Sequence, residues 1–170
     1  SRTQMAAKQR WLEDNLERIG KVRAETLLPI IYGAEWGYRR RARLSVRHVP
    51  SRGGVLVGFR ERRSSFIAQM NECHVLPPRV SALIPELKAL VDRLSVRARV
   101  PQIELAAGDN ATALVFRHLE PLTEDDVAHL RAFSRLHGVH VWVQAGGPET
   151  ARPLEPDTSE LYYELPEFDV

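Results

Sequence analysis

From Arg41 to Arg47 the side chains alternate without a break: Arg41, Arg43, Ser45 and Arg47 fall on odd positions, Ala42, Leu44 and Val46 on even ones. A period of two belongs to a β-strand, whose successive side chains point to opposite faces. A chain carrying this pattern must build a sheet with one buried face and one face studded with guanidinium groups. The strand also lies in the most basic part of the sequence. Between Trp36 and Arg63 stand nine arginines against Glu61 alone, in a chain of 170 residues with 24 Lys and Arg and 22 Asp and Glu. That leaves 15 bases against 21 acids elsewhere, so the positive charge is an island in an acidic chain.

The neighbouring segments extend the sheet. Pro50 to Gly54 reads as a hairpin loop, and Val55 to Arg60 and Ser65 to Met70 read as two further strands of an antiparallel meander. After Pro77 and Pro78, the residues Val80, Leu83, Ile84, Leu87, Leu90, Val91 and Leu94 form an apolar helical stripe. Pro85 lies inside it and predicts a kink or a late start. Gln102 to Ala107 and Thr112 to Leu119 form a second hairpin turned by Gly108, Asp109 and Asn110. Thr123 caps a helix that buries Val127, Leu130, Phe133 and Leu136 and ends at Gly138. Val139 to Gln144 is a strand, Gly146 to Thr158 a loop, and Leu161 to Leu165 a last strand. The order βββ-α-ββ-α-ββ predicts an α+β fold with an antiparallel sheet and two packed helices. Ahead of it, Met5, Leu12, Leu16 and Ile19 mark an amphipathic helix over Thr3 to Ile19, followed by a linker-like stretch to Gly37. That helix has no obvious partner surface nearby.

The chemistry is one-sided. Arg41, Arg43 and Arg47 on one strand face suit phosphate, and Tyr38 and Phe59 could stack on unpaired bases, which points to RNA. The plainer alternative is an edge strand kept soluble by its charge. The single cysteine, Cys73, precludes an internal disulfide. A lone cysteine is ordinarily a small buried apolar residue, and adjacent His74 would point away from it on an extended chain. The other histidines, at 48, 118, 129, 137 and 140, lack metal-ligand spacing. No glycine-rich loop follows a strand as a nucleotide site requires. No apolar run approaches the roughly 20 residues of a membrane span. These features predict a cytoplasmic protein with no self-sufficient active site. The seven acids between Glu149 and Asp169, against Arg152 alone, read as a solvated surface.

At WGYRRRARLSVR, VGFRERRSS and NECHVLPP the sequence resembles bacterial 23S ribosomal RNA uracil-C5 methyltransferases of the RumA (RlmD) type, and the resemblance runs along essentially the whole chain. It implies a parent enzyme with an N-terminal TRAM barrel, a central domain holding a four-iron, four-sulfur (4Fe-4S) cluster, and a C-terminal methyltransferase domain that binds S-adenosylmethionine. This chain would be the central part: residues 1–35 a helix and linker that pack on the methyltransferase domain, residues 36–170 the α+β domain. Helix KQRWLEDNLERIG looks like the family segment after three cluster cysteines, and LPEFDV like the approach to the methyltransferase domain. Cys73 matches the fourth cluster ligand and, without its three companions, would be a free thiol. The resemblance places no catalytic or S-adenosylmethionine-binding residue here. It assigns contacts with ribosomal RNA to Arg39, Arg40, Arg41, Arg43, Phe59, Arg60, Arg62 and Arg63. A free-standing RNA-binding module, or a relative acting on tRNA or another rRNA site, are the competing readings.

Overall fold

The structure is a computed structural model that describes residues 1–155 and 160–164. Its centre is one six-stranded sheet. In chain order the elements are α1 (Arg2–Arg18), β1 (Arg41–Val49), β2 (Gly54–Gly58), α2 (Pro78–Ser81), α3 (Leu83–Arg93), β3 (Gln102–Ala107), β4 (Thr112–Arg117), α4 (Glu124–His137), β5 (His140–Gln144) and β6 (Arg152–Pro153). The strands lie in the order β2-β1-β3-β4-β5-β6. Every pairing is antiparallel except β4 with β5, where α4 provides the crossover that a parallel pair needs.

Ala42, Leu44 and Val46 are buried while Arg41, Arg43 and Arg47 are exposed, as the alternation requires. The buried face is shared by Val55 and Val57, Ile103 and Leu105, Leu114 and Phe116, and Val141 and Val143. Against it lie Leu83, Ile84, Leu87, Leu90 and Val91 of α3 and Leu130 and Phe133 of α4. Each such side chain contributes roughly 1.5–3 kcal/mol by leaving water. The helices therefore occupy one side of the sheet, and the arginine-bearing side of β1 faces away from them.

Three features differ from the sequence reading, while the late helix start predicted at Pro85 is present. The expected third strand at Ser65 to Met70 does not join the sheet. It is the return arm of a small hairpin, held by a bridge between Arg60 and Ile67 and by the Ala68 amide donating to the Phe59 carbonyl at 2.9 Å. The stripe containing Pro85 is split at Ala82 into α2 and α3, so the helix restarts at Leu83 and carries Pro85 in its first turn, where a missing amide costs little. Leu136 is 78% exposed: the buried stripe of α4 runs through Asp126, Leu130 and Phe133, and Leu136 lies about 60° beyond its edge at Phe133. Among the described residues the last strand is β6. Residues 161–164 of the expected Leu161 to Leu165 strand carry no strand pairing, and Leu165 lies outside the described residues, as does the LPEFDV segment.

The caps read from sequence are present. The Thr123 hydroxyl accepts from the Asp126 amide at 3.2 Å, the Asp126 carboxylate accepts from the Thr123 amide at 3.0 Å, and Gly138 takes the left-handed conformation at φ 60°. Helix α1 starts with a similar reciprocal cap between Ser1 and Gln4, but it buries no residue: Trp11 is 72% exposed and Ile19 77%.

Candidate nucleic-acid interface

The outer side of the sheet gathers cations from two sources. From β1, Arg41, Arg43 and Arg47 project at every second position. From the hairpin after β2 come Arg60, Arg62 and Arg63, all exposed. This hairpin closes through the Glu61 amide donating to the Phe66 carbonyl at 3.0 Å and the Ser64 amide to the Glu61 carbonyl at 3.2 Å. It turns back over β2. A Cβ on Gly58 would stand 2.7 Å from the Ala68 carbonyl oxygen, so glycine is what admits the return arm. Arg52, in the loop before β2, accordingly lies 5.4 Å from the centroid of the Phe66 ring.

The arginines named from sequence are not equivalent. Arg41, Arg60, Arg62 and Arg63 make no ion pair among the described residues. Arg39 lies over the Phe59 ring at 5.5 Å, and Phe59 is itself half-buried against the core, so one of its faces is already covered. Arg43 is held across to β3, its Nη2 2.9 Å from a carboxylate oxygen of Glu104. Arg40 leaves the outer face altogether. It pairs with Asp109 at 2.7 Å and lies over Tyr163 at 5.7 Å. Asp109 is held below the usual carboxylate range, chiefly by the Glu164 amide and then by Arg40. Arg40 thus belongs to a clasp that fastens residues 160–164 to the β3–β4 turn, with the Asp109 amide donating to the Tyr162 carbonyl at 2.7 Å. Arg47, which the strand alternation already marks as suited to phosphate, shares the outer surface with Arg52 and Phe66, which the sequence reading does not name as contacts. A fold-back of the second hairpin, which local pattern does not encode, is what brings Phe66 beside Arg52 of the loop before β2.

Cys73 is half-buried and free, its amide donating to the Ser81 hydroxyl at 2.7 Å. It borders a cavity of about 530 Å³ lined also by Trp36, His74, Ser81 and Pro85. The Trp36 ring meets His74 edge-on at 5.7 Å, and the Gly37 and Arg39 amides donate to the His74 and Val75 carbonyls at 2.8 Å each. The start of the basic segment is thereby tied to the cysteine loop. Among the described residues no group of three or more His, Cys, Asp or Glu could hold a metal ion. One thiol cannot satisfy a 4Fe-4S cluster, so the residues of this chain do not by themselves form a cluster site.

No protein-family model matches the chain. Among curated proteins it is 59% identical over 170 residues to the 23S rRNA (uracil(1939)-C(5))-methyltransferase RlmD of Nitrosospira multiformis, a match covering 99% of this chain and 39% of that protein. It is 63% identical over 166 residues to the RlmD of Thiobacillus denitrificans, covering 97% and 38%. In sequence the chain corresponds to a segment of RlmD-type proteins. It spans well under half the length of these relatives. Among solved structures it is similar to the Pyrococcus abyssi tRNA (uracil-54, C5)-methyltransferase in complex with S-adenosyl-L-homocysteine, with a TM-score of 0.53 and 16% identity, covering 89% of this chain and 34% of that one. At that identity the likeness concerns the fold: an α+β unit with a mostly antiparallel sheet. Among the described residues no helix is long and apolar enough to cross a membrane.

Proposed function

We propose that this chain is the RNA-contacting middle portion of an S-adenosylmethionine-dependent 23S rRNA uracil-C5 methyltransferase acting in the cytoplasm. The observation that carries the reading is the 63% identity over 97% of the chain to an RlmD protein. The outer sheet face supports it. Guanidinium groups at alternate strand positions suit a polyanion, and phosphate contacts supply most of the affinity of such surfaces. In this reading the chain holds ribosomal RNA with Arg39, Arg41, Arg43, Arg60, Arg62 and Arg63, while Arg40 organises the clasp to Asp109. Methyl transfer and S-adenosylmethionine binding belong to a methyltransferase domain outside this sequence, as does a TRAM barrel. Cys73 is read as one thiolate ligand of an iron-sulfur cluster whose other cysteines also lie outside it.

The test is methylation by the intact protein that contains this segment. Incubated with labelled S-adenosylmethionine, it is expected to place one 5-methyluridine in unmodified 23S rRNA and none in tRNA. Label in tRNA alone would assign the chain to another subgroup. No label in either RNA would overturn the enzymatic reading.

A further inference from the structure

The hairpin between Phe59 and Ala68 brings an exposed aromatic ring to the basic surface. Phe66 is 55% exposed although the same arm buries Ile67 at 5%. Its place is fixed: its amide donates to the Ser64 hydroxyl at 2.8 Å and its carbonyl accepts from the Glu61 amide at 3.0 Å. On one side the Arg52 guanidinium lies 5.4 Å from the ring centroid. Beyond it the hairpin tip carries Arg62 and Arg63, both exposed. Arg63 sits at φ 57°, a left-handed conformation that a non-glycine residue adopts only when its surroundings hold it there.

We infer that Phe66, backed by Arg52, is a stacking platform for one unpaired RNA base, with Arg62 and Arg63 receiving the flanking phosphates. The inference rests on the RNA-binding reading above and deepens it by naming the form of RNA bound at this edge: single-stranded rather than duplex. A base in a duplex has both faces covered by its neighbours, so a protein ring can stack only on an unpaired one. The ring fixed at one position gives sequence-tolerant stacking, because every base has a π-face. Arg52 on one side of the ring strengthens it through the cation–π interaction and leaves the other side for the base. Phe59 cannot play this part, because Arg39 lies over it and the core holds it.

The test measures binding of the chain to a short oligouridylate and to a duplex RNA of equal length, as a function of salt. Phe66→Ala is expected to weaken oligouridylate binding about fivefold or more, to leave duplex binding unchanged, and to keep the salt slope. Phe66→Trp should restore the affinity, and Arg62→Ala should lower the salt slope for both RNAs by about one contact. Circular dichroism of Phe66→Ala checks that the hairpin change has not unfolded the chain. Unchanged oligouridylate affinity in Phe66→Ala overturns the platform while leaving the RNA-binding reading intact, as does equal loss on both RNAs. Failure of the unsubstituted chain to bind either RNA overturns both.

Discussion

Asp126 is 1% exposed yet titrates below its ordinary value of 3.8. Burial pushes the carboxyl up, but hydrogen bonds from Ser95 and Thr123 outweigh it. The Ser95 amide and hydroxyl donate at 2.7 and 2.6 Å, and the Thr123 amide at 3.0 Å. One side chain therefore caps α4 and fastens it to the residues that follow α3. Replacing it leaves three donors without their acceptor, so Asp126→Ala should cost roughly 2–3 kcal/mol in denaturant unfolding. The pH dependence has a definite sign. Because the folded value is depressed, the stabilisation is complete above the unfolded value of 3.8 and is lost as pH falls through the folded one. Asp126→Asn should flatten that part of the acid unfolding profile, and a profile identical to the unsubstituted chain would refute the account.

Among the elements, the cross-strand pair of Arg43 on β1 with Glu104 on β3 decides how much of the basic face is available. Exposed pairs of this kind contribute little to stability, about 0–1 kcal/mol. Their effect on a ligand is larger, since Glu104 competes with phosphate for the same guanidinium. Glu104→Gln should leave the melting temperature nearly unchanged and tighten RNA binding at low salt. Unchanged or weaker binding would mean that RNA does not use this row. The same row shows what the sequence could reveal. The alternation in β1 displayed which face carries Arg43, and the capping residues located α4, because both signals are local. The partner Glu104 was not legible, because it depends on the β1–β3 pairing, formed between strands about 60 residues apart. For the same reason the local run Arg39-Arg40-Arg41 gives no sign that Arg40 pairs with distant Asp109. The Ser65 to Met70 segment has strand-like pattern but lies against β2 and the Lys88 side chain, whose ammonium donates to the Met70 carbonyl. It contributes a single bridge residue, Ile67, and no strand of the sheet.

Across the whole molecule, stability is divided unequally at about Gly37. Beyond it, the inner side chains of the sheet and α3 are almost completely buried, Val57, Ile84, Leu87 and Ile103 at 0% exposure. Before it, α1 buries nothing, and Leu28, Ile31, Tyr32 and Trp36 are exposed at 82, 73, 68 and 65%. A helix of 17 residues with no packed face is marginal in water, because nucleation is costly and only tertiary contact repays it. Amide exchange of the chain should therefore separate two classes. Amides of β3 and β4 should exchange only through global unfolding, and those of α1 many orders of magnitude faster. Exchange of α1 as slow as that of β3 would show that the helix is held by this chain after all. In the intact protein the comparison becomes a test of the proposed architecture. If residues 1–35 pack on a methyltransferase domain, α1 should slow to the rate of that domain's core while β3 and β4 stay as they are. If α1 still exchanges like an isolated helix there, its apolar residues face no such domain, and the arrangement proposed for the N-terminal segment fails.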